Sequence, residues 1–414
     1  MTTIRVIDEP CGYGKTTNLI KELKTLRDNP QHNEPVIVVV PELSEIARYQ
    51  DELGKDWLPE PLEEVGANKT DALIALLMKQ SNVITTHSLY ERIRRFENLL
   101  APYHVVVDEV PTAATQLPVL FGPGEFQHLI HGRQYISVDP NTNLISHTHQ
   151  WLADQHDYVA GGDLHIKKFM DAVVTNEVYF VEGIYCVMPI PDAFFTKPKT
   201  LTILTFLFEG TQLHHWLLKK GFQFLHLWNP AEHAQFKAEM AQNIYIRRTT
   251  APVKAGYNNM TDKGGKLRKK VANWVKNNLK KLREFDPTFH MGRVLVASHK
   301  DTWYGQEKNS QSNVSDKTCL KKTSGLGEAT HTALITRGTN EFKALDIFFL
   351  LGKVNMHPSL AKYLGMNTRQ AADRHTLSEL VQLIYRTAIR DKYPIYLITP
   401  DPDNIRILEE FLNT

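Results

Sequence analysis

The sequence predicts an α/β fold with two parallel-sheet units in tandem and an insertion in the first of them. Short strands alternate with helical segments in the first 110 residues and again after residue 243, a pattern typical of parallel, doubly wound sheets. The continuous apolar run Val36–Val40 indicates a strand buried on both faces, as parallel strands are, and residues 103–108 indicate another buried strand. A length of 414 residues fits two units of about 200 residues each.

In the first half, the alternation gives a regular order of elements that ends at a break. Strands are predicted at residues 3–8, 36–40, 82–85 and 103–108, and helices at residues 15–27, 42–53 and 87–96. From about residue 111 to residue 198 the rhythm is lost among scattered Gly, Pro, Asn and His residues. We interpret this segment as an insertion or small subdomain, because the strand pattern resumes at residues 200–206.

The second half repeats the α/β pattern. A lysine-rich helix is predicted at Lys266–Phe285, followed by strands at residues 293–298, 333–336, 344–351 and 395–399. Between the first two of these strands, the Ser-, Asn- and Lys-rich residues 300–327 predict a mobile loop. The predicted domains are residues 1–230, containing the insertion at about 111–198, and residues 231–414.

Composition narrows the class of protein without identifying a partner. Hydrophobic residues make up 42% and charged residues 23%, as in an ordinary globular protein, and the net charge is only +2. No apolar run approaches the roughly 20 residues that span a bilayer, and the N-terminus lacks a signal-peptide pattern, so we expect a cytoplasmic protein without membrane contact. Cys11, Cys186 and Cys319 lie far apart, which argues against a disulfide framework or a zinc site.

A glycine-rich turn between the first strand and the first helix has the features of a P-loop. Such a turn cradles phosphates with backbone N–H groups at a helix N-terminus. Lys15 is expected to reach the β- and γ-phosphates, and the Thr16 hydroxyl to bind Mg²⁺. Glu9 stands where the usual pattern has its first glycine, which leaves an ordinary turn with a solvated lysine as the alternative. The residues expected to bind nucleotide here are Gly12, Gly14, Lys15, Thr16 and Thr17.

Two adjacent carboxylates, Asp108 and Glu109, close the buried strand predicted at residues 103–108. Asp108 is expected to hold the Mg²⁺ ion through a water molecule, and Glu109 to polarise the water that attacks the γ-phosphate. The alternative is a pair of acidic residues that merely ends a strand. Their position about 90 residues after the glycine-rich turn favours the nucleotide site.

Further motifs follow in a fixed order. They are Val39-Val-Pro-Glu-Leu-Ser44, Ile84-Thr-Thr-His-Ser88, Asp108-Glu-Val110, Gly292-Arg-Val-Leu-Val-Ala-Ser-His299, Thr336-Arg-Gly-Thr-Asn-Glu341 and Gln382-Leu-Ile-Tyr-Arg-Thr-Ala-Ile-Arg390. With the glycine-rich turn, they make the sequence resemble superfamily 2 helicases of the DEAD/DEAH type, most closely the compact forms encoded by phages and mobile elements. The family's Ser-Ala-Thr motif is replaced by Thr205-Phe-Leu207.

The resemblance implies two tandem RecA-like P-loop domains that bind Mg-ATP in the cleft between them. Arg386 or Arg390, expected to face the same way from one helix, is then the arginine finger that stabilises charge in the transition state. Gln382 and Gly338 are expected to contact the nucleotide as well. The nucleic-acid contacts are expected to hold phosphates and not to read the base sequence. The residues expected to make them are Ser44, Thr85, Thr86, His87, Arg337 and Asn340.

A basic segment and a group of histidines carry further hypotheses. Residues 263–283 contain nine Lys or Arg residues and no acidic residue, which fits either phosphate contact or a solvated helix face. Trp274, inside this segment, either stacks on a base or belongs to the core. The spacing of the insertion histidines matches no closed tetrahedral metal site. These histidines are His128, His131, His147, His149, His156 and His165.

The sequence therefore predicts an Mg²⁺- and ATP-dependent helicase or translocase on single-stranded or forked DNA, with RNA as the other substrate class. We expect a monomer in a bacterial or phage-infected host cell, with replication or recombination proteins as further partners. One alternative is a phage terminase-type packaging ATPase, which needs a C-terminal nuclease domain. The other is a nucleic-acid-binding remodelling protein with weak ATPase activity.

Overall fold

The chain forms two compact units, each built around its own parallel sheet. The computed structural model describes residues 2–31, 33–62, 68–117, 123–156, 164–183, 185–248, 253–310, 312–335 and 341–413. The first unit comprises Met1–Asp8, Gly14–Trp228 and Met356–Arg369, and the second comprises Glu9–Tyr13, Asn229–Asn355 and Gln370–Thr414. The predicted α/β fold class, with parallel sheets in tandem and an insertion in the first, is confirmed.

The strands fall into three groups along the chain. Those before the insertion are β1 (Thr3–Asp8), β2 (Val36–Val40), β3 (Val83–Thr86) and β4 (His104–Asp108). The insertion contains β5 (Ala114–Gln116), β6 (Ile136–Val138), β7 (Leu144–His147), β8 (Val178–Val181) and β9 (Tyr185–Pro189). After it come β10 (Thr200–Thr205), β11 (Leu225–Trp228), β12 (Ile244–Arg247), β13 (Val294–Ser298), β14 (Thr330–Ala333), β15 (Ile347–Leu350) and β16 (Ile395–Ile398).

Helices connect most of the successive strands of the two parallel sheets. In the first unit and its insertion they are α1 (Lys15–Asp28), α2 (Leu43–Leu53), α3 (Lys69–Met78), α4 (His87–Tyr90), α5 (Pro123–Gln127), α6 (His149–Asp154), α7 (Leu164–Thr175), α8 (Ala193–Thr196) and α9 (Gln212–Lys219). The remaining helices are α10 (Pro230–Asn243), α11 (Tyr257–Met260), α12 (Lys266–Phe285), α13 (Lys300–Tyr304), α14 (Leu320–Thr323), α15 (Pro358–Tyr363), α16 (Arg369–Ile384) and α17 (Pro402–Asn413).

The main sheet of the first unit brings the ends of β1 and β4 close together. Its strand order is β11-β1-β10-β4-β2-β3, and all its pairs are parallel. All five residues of β2 are buried, as expected for a central strand covered on both faces. Because parallel strands end at the same edge of a sheet, the carboxyl ends of β1 and β4, at Asp8 and Asp108, lie at one edge, where ligands of open α/β sheets bind.

The second unit has its own parallel sheet of order β12-β16-β15-β13-β14. Helix α12 matches its predicted bounds and buries its apolar stripe, including Val271, Val275 and Leu279, in the core of this unit. Trp274 packs against the same core, so the core interpretation of that side chain is confirmed.

The predicted insertion is a small antiparallel subdomain with a core of its own. Its sheet has the order β5-β9-β8-β7-β6, and helix α7 contributes Phe169 and Met170 to the enclosed core. Segment Met356–Arg369, from the second half of the sequence, also belongs to the first unit. Its Tyr363 ring lies 5.2 Å from that of Tyr179, and the Lys362 ammonium lies 3.1 Å from the Glu182 carboxylate.

Three predictions about individual elements were wrong. The strand predicted at residues 333–336 is β14 at Thr330–Ala333, an edge strand whose polar residues hide it from an apolar pattern. Residues 300–327 include helices α13 and α14, with Trp303 and Leu320 buried in the core, rather than forming only a mobile loop. The helix predicted at residues 87–96 ends at Tyr90 and continues as a 3₁₀ turn at Glu91–Ile93.

Candidate nucleotide site and nucleic-acid contacts

The turn between β1 and α1 has the backbone conformation of a phosphate-binding loop. Gly12 and Gly14 have φ angles of 82° and 91°, values in the left-handed region that glycine adopts without steric cost. Gly14 is the N-cap of α1, and Lys15 is the first residue of the helix. The N–H groups at the start of a helix and the helix dipole favour an anion at such a position.

The Thr16 side chain connects the start of α1 to the end of β4. Its hydroxyl donates to Oδ2 of Asp108 at 3.1 Å. The sequence placed both residues in a magnesium site, and the structure brings them into direct contact although they are 92 positions apart.

The Asp108 carboxylate accepts a second hydrogen bond that the sequence did not predict. The hydroxyl of Tyr49, on α2, donates to the same Oδ2 atom at 2.8 Å. Both Tyr49 and Asp108 are buried. The backbone carbonyl of Asp108 also lies 3.0 Å from Nε2 of His87. The aspartate is thus held at its side chain and at its main chain.

Burial is the largest influence on the charge of Asp108. It raises the pKa of the carboxyl group, and the nearby Glu109 carboxylate acts in the same direction. The hydrogen bonds from Tyr49 and Thr16 and the charge of Lys15 lower this pKa, so they favour the ionised form that a metal ion requires.

The side chains at this position fit a magnesium ion. Mg²⁺ binds oxygen ligands and commonly takes one or two from the protein, with water and nucleotide phosphates completing the octahedron. Thr16 offers a hydroxyl oxygen and Asp108 a carboxylate oxygen, 3.1 Å apart, next to the glycine-rich turn. Among the described residues, no group of three or more His, Cys, Asp or Glu is arranged to hold a metal ion by itself.

Glu109 stands directly after β4 in an unusual backbone conformation. Its φ angle is 64°, in the left-handed region that residues other than glycine rarely adopt. The residue is half-buried and adjacent to Asp108. Strained backbone of this kind is concentrated at functional sites, which favours the predicted role of Glu109 in positioning the attacking water.

A cluster of contacts surrounds Asp8, which ends β1 at the same edge of the sheet. Oδ2 of Asp8 accepts a hydrogen bond from the Phe208 backbone N–H at 3.0 Å and lies 3.1 Å from Nε2 of His226. Phe208 follows Thr205–Leu207, the segment that replaces the family's Ser-Ala-Thr motif. Asp8 therefore ties this segment to the strand that leads into the glycine-rich turn.

Two predicted nucleic-acid contacts, Thr85 and Thr86, line one pocket. The pocket also presents Arg92 and Lys69, two cations that the sequence did not single out. The Thr85 hydroxyl is buried and has no hydrogen-bond partner within the described part of the chain. Thr86 is also the N-cap of α4, where its hydroxyl accepts from the Leu89 N–H. Hydroxyls and cations together suit a phosphate group.

The other predicted contacts of the first unit have different surroundings. Ser44 is exposed in the first turn of α2. His87 faces the Asp108 carbonyl, which connects the Thr-His motif to the candidate nucleotide site. Thr17, predicted to bind nucleotide, is exposed and accepts a hydrogen bond from Arg48 at 3.2 Å.

The predicted arginine fingers belong to the second unit, but they do not share one helix. Helix α16 ends at Ile384, and Thr387 terminates it because its hydroxyl and N–H both donate to the Ile384 carbonyl. Arg386 is buried in the turn that follows, whereas Arg390 is half-buried in a separate 3₁₀ helix, Ala388–Asp391. The expectation that they face the same way from one helix was therefore wrong.

The remaining predicted residues of the second unit divide into two groups. Gln382 is half-buried on α16, and its side-chain amide lies 3.4 Å from the Ser378 hydroxyl. Arg337, Gly338 and Asn340 lie outside the described residues.

Helix α12 presents a basic face to solvent. Its buried Arg268 is structural, because the guanidinium donates to the carbonyls of Met260 and Asp262 at 2.7 and 2.6 Å. The exposed cations of the helix are Lys266, Lys269, Lys270, Lys276, Lys280, Lys281 and Arg283. The last turns of the helix and Gly325 line a shallow pocket. Seven exposed cations on one helix suit a polyanion.

Sequence comparison relates this chain to a prophage protein. A family model described as the YonV C-terminal Rossmann-like domain matches residues 238–412. The whole chain is similar to the SPbeta prophage-derived uncharacterized protein YonV of Bacillus subtilis (strain 168). The two are 22% identical over 438 residues, which cover 100% of this chain and 99% of that protein.

Solved structures similar to this chain include XPD and DEAD-box proteins. An apo XPD structure has a TM-score of 0.47 at 14% identity, covering 96% of this chain and 93% of that one. Xpd4 of S. tokodaii has a TM-score of 0.44 at 13% identity, covering 100% and 94%. Dbp5 of S. cerevisiae bound to RNA and ADP BeF3 has a TM-score of 0.38 at 14% identity, covering 100% and 83%.

None of the helices in the described ranges combines the length and the apolar character needed to cross a membrane.

Proposed function

We propose that this chain is an Mg²⁺-dependent ATPase that acts as a helicase or translocase on single-stranded DNA. The observation that carries the proposal is the contact between the Thr16 hydroxyl and the Asp108 carboxylate, 3.1 Å apart, beside a glycine-rich turn. A phosphate-binding turn joined to an oxygen pair that suits Mg²⁺ is what hydrolysis of a nucleoside triphosphate requires. The proposal includes two RecA-like domains, residues 1–230 and 231–414.

Each charged residue of the site has a proposed role. Lys15, the first residue of α1, neutralises charge on the β- and γ-phosphates. A Mg²⁺ ion held by Thr16 and Asp108 neutralises further charge on the same two phosphates. Glu109 positions and polarises the attacking water. Arg390, which is more exposed than Arg386, supplies positive charge to the transition state.

Nucleic-acid binding is supported by features of each unit taken separately. In the first unit, the pocket at Thr85 and Thr86 combines hydroxyls with Lys69 and Arg92. In the second unit, the solvent-facing cations of α12 provide the charge that phosphate contacts require. We propose that the chain works as a monomer in the cytoplasm of a bacterial or phage-infected host cell, together with replication or recombination proteins.

The test measures ATP hydrolysis with and without single-stranded DNA, single-stranded RNA and duplex DNA. We expect single-stranded nucleic acid to stimulate hydrolysis, and Lys15→Ala and Glu109→Gln to abolish it. Lys21→Ala, which removes an exposed lysine from the same helix, is the matched control and should behave like the wild type. Absence of hydrolysis under every condition would overturn the proposal.

Additional assays separate the related functions. Displacement of a labelled strand from a forked duplex identifies a helicase, whereas stimulation without displacement identifies a translocase. A packaging ATPase would be stimulated by duplex DNA and would cleave it. Comparison of the DNA and RNA arms identifies the preferred substrate.

A second candidate function is remodelling of nucleic acid by binding, with only weak hydrolysis. It is favoured by Thr205-Phe-Leu207, where the family's Ser-Ala-Thr offers two hydroxyls and this chain offers one. This candidate predicts tight, salt-dependent binding of single strands by both wild type and Lys15→Ala, without stimulation of ATPase activity.

A further inference from the structure

The phenol of Tyr49 reaches the nucleotide site from a helix that carries none of the residues expected to bind nucleotide. The ring packs in the core between α1, α2 and the sheet, together with Ile46, Leu53 and Val106. From this fixed position the hydroxyl donates to Oδ2 of Asp108 at 2.8 Å. The apolar surroundings of the ring determine where the hydroxyl lies, so its direction toward Asp108 is set by packing.

The two hydroxyls that donate to Oδ2 of Asp108 have different roles when a nucleotide binds. Thr16 follows the P-loop lysine, and its oxygen is expected to bind the metal ion directly. Its hydroxyl then serves both groups, the ion through an oxygen lone pair and Asp108 through its proton. Tyr49 is not part of the glycine-rich turn, and its contact with Asp108 is compatible with a bound ion. A phenol hydroxyl carries its proton at neutral pH and can therefore donate to the carboxylate.

We propose that Tyr49 is a positioning residue that orients the Asp108 carboxylate for the Mg²⁺ ion of the bound nucleotide. The inference rests on the proposed function, because it assumes that Mg²⁺ and nucleotide bind at Asp108. Ligands of a metal ion are commonly oriented by a further hydrogen bond, whose loss weakens metal affinity. Here the partner is a tyrosine whose ring is part of the core and whose hydroxyl serves the site.

Tyr49→Phe separates the two roles, because it keeps the ring and removes only the hydroxyl. The first measurement is the affinity for a fluorescent ADP analogue, once with Mg²⁺ and once with EDTA. In EDTA we expect the variant to bind like the wild type. The factor by which Mg²⁺ increases its affinity should be about tenfold smaller, the size expected for one hydrogen bond to a charged group. The second measurement is ATPase activity against Mg²⁺ concentration. The half-saturating concentration should rise about tenfold, while kcat at saturating Mg²⁺ changes much less.

Tyr90→Phe is the matched control. It also removes a buried tyrosine hydroxyl from the first unit, but this hydroxyl has no hydrogen-bond partner within the described ranges and so donates none to Asp108. We expect Tyr90→Phe to keep the Mg²⁺ dependence of the wild type.

A double-variant comparison tests whether Tyr49 acts through Asp108. In the background Asp108→Asn, the further change Tyr49→Phe should leave the Mg²⁺ dependence of nucleotide binding unchanged, because the group that it orients is already altered. An added loss of the same size in that background would overturn the proposal. Equal losses in Mg²⁺ and EDTA for Tyr49→Phe alone would also overturn it and assign the hydroxyl to folding.

Failure of the proposed function gives a different result. If the wild type binds nucleotide equally well with Mg²⁺ and with EDTA, the magnesium site at Asp108 is overturned, and the role of Tyr49 with it. If the wild type depends on Mg²⁺ and Tyr49→Phe shows the same dependence, only the role of Tyr49 is overturned.

Discussion

Glu109 and Leu207 both adopt left-handed backbone conformations at the ends of neighbouring strands. Their φ angles are 64° and 56°, and the strands that precede them, β4 and β10, pair in parallel with Leu204 opposite Asp108. A non-glycine residue in this region costs about 1–2 kcal/mol. Two strained residues thus lie at the sheet edge that carries Asp108, and backbone strain of this kind is concentrated at functional sites.

Leu207→Gly should equal Leu207→Ala in stability or exceed it by up to about 1 kcal/mol. Both changes remove the same half-buried side chain, but only glycine also removes the cost of the left-handed conformation. The free energy of unfolding, from urea titration of the two variants, measures the difference. The control is Leu213, buried in helix α9, where the glycine variant should be less stable than the alanine variant by about 1 kcal/mol. If the glycine variant were less stable than the alanine variant at Leu207 as well, the backbone there would not be strained.

Thr16→Ala should lower kcat for ATP hydrolysis at least about tenfold and raise the Mg²⁺ requirement, because it removes one of the two oxygens that suit the ion. Thr16→Ser keeps the hydroxyl and should retain most of the activity. The measurement is steady-state phosphate release over a range of Mg²⁺ concentrations.

Thr25→Ala is the control for this change. Thr25 lies on the same helix, and its hydroxyl donates to the Lys21 carbonyl, within α1. Wild-type activity in Thr25→Ala, together with loss in Thr16→Ala, assigns the effect to the site. Equal activity of Thr16→Ala and Thr16→Ser would argue against a metal ligand at this position.

Paired alanine substitution of Lys276 and Lys280 should weaken binding of single-stranded DNA and flatten its dependence on salt. Each lost phosphate contact reduces the slope of log K against log salt by about 0.7 for single strands. Both lysines are exposed on the basic face of α12. Fluorescence anisotropy between low and physiological salt measures the slope, and Lys317→Ala, an exposed lysine elsewhere in the second unit, is the control. An unchanged slope in the pair variant would identify the basic face as a solvated surface.

Arg390→Ala should lower kcat strongly with little change in stability, while Arg386→Ala should lower stability. Arg390 is half-buried in a 3₁₀ helix and accessible to a ligand, whereas Arg386 is buried. Removal of a transition-state cation costs about 10³-fold or more in kcat, and truncation of a buried side chain typically costs a few kcal/mol. Single-turnover hydrolysis and thermal unfolding of both variants test the assignment, and the opposite pattern would exchange the two roles.

The sequence predicted the parts of the fold that local pattern determines. Strand β2 and helix α12 were predicted with the bounds that the structure shows, because one is a continuous apolar run and the other has a regular apolar stripe. Strand β14 was misplaced, because it is a polar edge strand whose pairing with β13 depends on contacts distant in sequence.

The candidate site was predictable where motifs are contiguous and incomplete where contacts come from elsewhere. Thr16 and Asp108 follow from the turn and strand that carry them. Tyr49 looks like a core residue, because it shares the apolar face of α2 with Ile46 and Leu53. Its only signal was a hydroxyl on the buried face of α2, and the hydroxyl acquires a partner only when α2 packs beside β4.

The stability of the wild type should fall as pH decreases from about 6.5 toward 4, partly through His331. Burial lowers the pKa of this side chain to about 4, and Lys300 acts in the same direction, whereas an unfolded histidine has a pKa of about 6.5. The unfolded state therefore binds a proton that the folded state excludes. The stabilisation is complete above about pH 6.5 and is lost at about 1.4 kcal/mol per pH unit below it.

His331→Gln isolates this contribution, because it removes the titrating ring and leaves the other ionisable groups in place. We expect urea unfolding between pH 7.5 and 4.5 to show a smaller loss of stability in the variant. His331 stacks on Trp303, with ring centroids 4.8 Å apart, so tryptophan fluorescence reports on this region. His290→Gln, at an exposed histidine of the same unit, should keep the wild-type slope. A wild-type slope in His331→Gln would show that the ring does not remain neutral in the fold.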